Sequence, residues 1–82
     1  MNEWLSASAD AVAAATGASR AGLELTEQDE KTILDLARIA AHDTGDRTNA
    51  PTVCYLVGLA VGRSGATLDD AVSAVPKSAK GD

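Results

Sequence analysis

Aromatic side chains are almost missing from this chain: among 82 residues there is one Trp, one Tyr and no Phe. The large flat units that dominate most cores are therefore not available, and a core has to be assembled from aliphatic and small residues. Cysteine occurs once, which excludes a disulfide scaffold, and a lone Cys54 fits a reducing, cytoplasmic setting. Cationic residues are outnumbered, 7 Lys and Arg against 12 Asp and Glu, for a net charge of −5. That balance lacks the basic footprint of a free-standing nucleic-acid binder and disfavours an anionic membrane surface. The longest charge-free stretch, residues 48–62, is interrupted by Asn49 and Pro51. It falls short of the roughly 20 apolar residues of a membrane span. The opening Met1-Asn2-Glu3-Trp4 has neither the cationic nor the apolar segment of a secretory signal.

The usual chemical motifs are missing too. One His and one Cys cannot supply the four ligands of a structural zinc site. No Gly-rich phosphate loop with its Lys is present, and Gly62-Arg63-Ser64-Gly65-Ala66 reads only as a turn. No serine follows an Asp, so the attachment site of an acyl carrier protein is absent. The residues point to no cofactor, no metal and no catalytic set; an enzymatic role would need a site completed in a dimer.

What is abundant is alanine, 17 residues of it. With Val and Leu it suits helices whose backbones approach closely. The pattern predicts an all-α fold: a compact bundle of three main helices and a short fourth, built around an apolar third helix. Residues 1–76 are expected to form one helical-bundle domain and residues 77–82 a flexible C-terminal tail. The first helix runs from about Asn2 to Ala15, with Leu5, Ala9 and Val12 on one side and a stop at Gly17. Residues 18–25 connect, with Leu23 and Leu25 folding inward. The second helix starts at an N-cap Thr26 with Asp29 as a short capping-box partner. Glu27, Asp29 and Glu30 suit its positive end. Ile33, Leu36, Ala37, Ala40 and Ala41 form its buried stripe, and Lys31, Asp35, Arg38 and His42 face away. The third helix starts near Pro51 behind an Asn49 cap. It stays uncharged until Arg63, and a helix apolar on every side belongs in the middle of a bundle. Thr67 caps the fourth, which buries Leu68, Ala71, Val72 and Val75 before Pro76.

Two constellations stand out. Asp35, Arg38 and His42 share a face at i, i+3 and i+7, and Arg47 follows in the next loop. They read either as a solvated ion-pair face or as a site holding an anion or a partner carboxylate. Pro51, Tyr55, Gly58 and Gly62 share a side of the third helix. A helix-interior Gly costs roughly 1 kcal/mol against Ala, so this side reads as close helix packing or as a slot for a flat ligand or partner helix rimmed by Tyr55. Trp4 and Tyr55 are expected to anchor the core, with an exposed interface role open to Trp4.

Residues 34–65, LDLARIAAHDTGDRTNAPTVCYLVGLAVGRSG, together with Trp4-Leu5, resemble a bacterial family of small domains of unknown function. Its members carry a Leu-Asp-Leu-Ala-Arg…Ala-His…Arg…Ala-Pro…Gly-Leu-Ala-x-Gly pattern. Asp35, Arg38, His42, Arg47, Pro51, Gly58 and Gly62 occupy its positions. Such domains occur alone or attached to nucleotidyltransferase domains similar to molybdenum cofactor guanylyltransferases. The resemblance implies a non-catalytic accessory or protein-interaction module near molybdopterin nucleotide chemistry, with such a nucleotidyltransferase or a molybdoenzyme maturation factor as its protein partner. The alternative from the residues is a small anion- or nucleotide-binding module using Arg38, His42 and Arg47. Homo-oligomerisation would also cover apolar surface in so small a chain.

Overall fold

A computed structural model describes residues 1–76, and every regular element among them is helical. The expected tail, residues 77–82, lies outside the described residues. The elements are α1 (Glu3–Thr16), a short 3-10 turn (Ala21–Leu23), α2 (Glu27–Thr44), α3 (Asn49–Ser64) and α4 (Leu68–Ser73). Internal contacts group the chain into two units, residues 1–30 and residues from Lys31 onward. Among the described residues no helix is long and apolar enough to cross a membrane.

In the first unit, Asn2 caps α1: its side-chain oxygen accepts the Leu5 N–H at 2.8 Å. Gly17 ends the helix in the left-handed region (φ 79°), where its N–H reaches the Ala13 carbonyl, a conformation that costs Gly nothing. The inward side of α1 differs from the expected stripe. Leu5 and Ala9 are half-buried and Ala13 is buried, but Val12 is half exposed. The reason lies in composition, because an alanine-rich helix has nearly equal methyl groups on several sides and little to fix its rotation. The connection is held by Arg20, whose Nε lies 2.6 Å from Asp10 Oδ1 and whose Nη1 lies 3.0 Å from Glu24 Oε1. The Asp10 hydrogen bond leads in holding the guanidinium proton more firmly than usual. Leu23 and Leu25 are half-buried, as their spacing suggested. At the head of α2, Thr26 Oγ1 accepts the Asp29 N–H at 3.0 Å and Asp29 Oδ2 accepts the Thr26 N–H at 2.9 Å. This is the reciprocal capping box read from the sequence.

The second unit is organised by Leu36 and Val57, the two buried apolar residues it holds among those described. Ile33, Ala37, Ala40 and Ala41 are half-buried around Leu36, so the α2 stripe lies where its period put it. On α3, Ala50, Val53, Cys54 and Val61 flank Val57 on one side. The Cys54 thiol points at the Ile33 carbonyl of α2, 3.8 Å away. The turn into α3 differs in detail. Asn49 lies inside the helix instead of capping it, and its amide donates to Thr44 Oγ1 at 2.9 Å. Asp46 organises the turn, its Oδ1 accepting both the Thr48 N–H (2.9 Å) and the Thr48 hydroxyl (2.6 Å). Gly65 closes α3 at φ 79°, and Thr67 caps α4 by accepting the Asp70 N–H at 3.1 Å. Helix α4 packs against α3.

Candidate functional site

The two constellations meet different fates. On α2, Asp35 lies between two cations: Lys31 Nζ is 3.6 Å from Oδ2 and Arg38 Nη2 is 4.0 Å from Oδ1. All three side chains are half exposed or more, and such loose surface pairs contribute only tenths of a kcal/mol. His42 sits exposed in the last turn of α2, where a positive charge suits the helix dipole. Arg47 is exposed in the turn beyond Gly45. Among the described residues, no hydrogen bond or ion pair joins His42 or Arg47 to Asp35 or Arg38. The face is continuous along α2, but its cations do not close on one point through any such contact.

Beside Asp35 opens a cavity of about 240 Å³ between α2 and α4, lined by Thr32, Asp35, Leu36, Ile39, Val72 and Val75. Its floor is aliphatic and Asp35 is its charged member. Its volume falls below the roughly 300–1,000 Å³ of typical small-molecule sites. Of the sequence-predicted residues it takes in Asp35 alone.

Pro51, Tyr55, Gly58 and Gly62 do share one side of α3, and all four are exposed. A methyl group built on Gly58 or on Gly62 would meet no atom within 4 Å. The close backbone approach that the glycines suggested is therefore not made among the described residues. Tyr55 stands 70% exposed beside this notch and Leu56 61% exposed around the helix from it. Neither aromatic anchors the core, since Trp4, in the first turn of α1, is 74% exposed. The third helix turns one side inward through Val57 and leaves Tyr55 and Leu56 exposed on other sides. Along that open surface there is no charge before Arg63.

Cys54 offers no nucleophile. It is partly buried, and burial pushes its thiol above the ordinary range, whereas reactive cysteines need an electropositive, accessible setting. Among the described residues no group of three or more His, Cys, Asp or Glu side chains is placed to hold a metal ion. Sequence reasoning missed Asp46, whose carboxyl is held below its usual range by the Thr48 hydroxyl and then by the Thr48 N–H. The Asp-x-Thr spacing of a local side-chain turn was the available signal.

These features define a small all-α domain that keeps an uncharged, partly aromatic helix surface outside its own core. The chain belongs to a family of domains of unknown function, DUF6457, whose model matches residues 1–82. No curated protein and no solved structure matches it.

Proposed function

We propose that this domain is a non-catalytic protein-interaction module whose docking surface is the outer side of α3. The observation that supports this reading is the exposure of Tyr55 beside the Gly58–Gly62 strip, which no described residue fills, on a helix without charge from Asn49 to Gly62. Burying a large apolar side chain is worth about 1.5–3 kcal/mol, most of which Tyr55 forgoes among the described residues. Aromatic anchors set beside a concave strip are what interface hot spots are made of, and two glycines let a partner's backbone come close.

The partner class rests on the resemblance of residues 34–65. It is a nucleotidyltransferase domain similar to molybdenum cofactor guanylyltransferases, in the bacterial cytoplasm. The polar face of Asp35, Arg38, His42 and Arg47 would then supply rim contacts that orient the partner.

The test is a calorimetric titration of the chain with the molybdenum cofactor guanylyltransferase of the same organism, paired with amide shifts. Saturable binding with shifts at Tyr55, Gly58 and Gly62 is expected. Tyr55→Glu is expected to weaken it at least tenfold, the loss of about 1.4 kcal/mol. Binding that ignores Tyr55→Glu, or no binding, overturns the reading. Shifts confined to residues 35–47 on adding GTP would move the assignment to the anion-binding alternative.

A further inference from the structure

We draw no further inference here: the strongest candidate, the uncharged outer face of α3 around Tyr55, Gly58 and Gly62 as a contact between two copies of the chain, belongs to the site already described, and nothing in the structure shows that a second copy covers it.

Discussion

Replacing Gly58 and Gly62 by alanine separates what α3 does for the fold from the docking proposed for it. Both glycines lie inside a helix, and neither has the positive φ that makes alanine strained. A Cβ at either position meets nothing within 4 Å. The substitution therefore adds helix propensity with no clash, and each Gly→Ala change is worth about 0.8–1 kcal/mol in a helix interior. The whole domain has on the order of 4–12 kcal/mol of stability at this length, so the double variant gains a sizeable fraction. In a thermal melt each change should raise Tm by about 4–8 °C. Gly65→Ala is the control. Its φ of 79° makes a side chain costly by roughly 1 kcal/mol, so the same chemical change should lower Tm. If the proposed docking holds, the two methyls should also keep a partner helix away from α3, so the Gly58→Ala/Gly62→Ala variant should bind the guanylyltransferase less tightly while melting higher. A fall in Tm for Gly58→Ala would refute the reasoning at its root, because something would then have to approach that side of α3 in solution. A rise in Tm with unchanged affinity would remove the notch from the docking surface.

Other perturbations probe the interior and the local devices. Leu36→Ala removes one of the buried side chains of the second unit and should cost about 2–5 kcal/mol, read as a lower urea midpoint with an unchanged slope. Asp46, held below its usual carboxyl range by Thr48, contributes stability that is present above the unfolded pKa and lost as pH falls through the lower folded value. Asp46→Ala should therefore flatten the acid limb of stability against pH, and an unaltered limb would contradict the Asp46–Thr48 hydrogen bonds. Cys54, raised by burial, should react with a thiol reagent at pH 8 more slowly in the folded chain than in urea. Equal rates would mean the thiol is open.

The caps were legible because they are local. Thr26 with Asp29, Thr67 with Asp70 and the left-handed stop at Gly17 each involve a few neighbouring residues whose chemistry permits little else. The α2 stripe was legible because apolar and charged residues alternate sharply around that helix. Arg20 was not, since its Asp10 partner lies ten residues away and no local pattern marks it. Asn49 was misread because two neighbouring polar residues compete for one turn, and Asp46 bonds Thr48 first. In α1 the expected side was off by one position: alanine methyls differ too little from side to side to decide whether Val12 or Ala13 turns inward.

Helix α3 shows the limit more sharply, and also its use. Periodicity reports which side of a helix is apolar, so a helix apolar all round says nothing about which side is inside. Only the elements that pack on Val57 decide that, and their positions are not written in residues 49–64. Once they are known, the sequence regains meaning. A helix that needs one buried side tolerates charge on the other at almost no cost, since exposed substitutions rarely change stability by more than about 0.5 kcal/mol. The fold therefore makes no demand for Tyr55, Gly58 and Gly62 on the outer side. The glycines weaken the helix, and Tyr55, left mostly exposed, gains little from it. On the proposed reading a contact outside the domain offsets that cost, and the Gly58 and Gly62 variants test it directly.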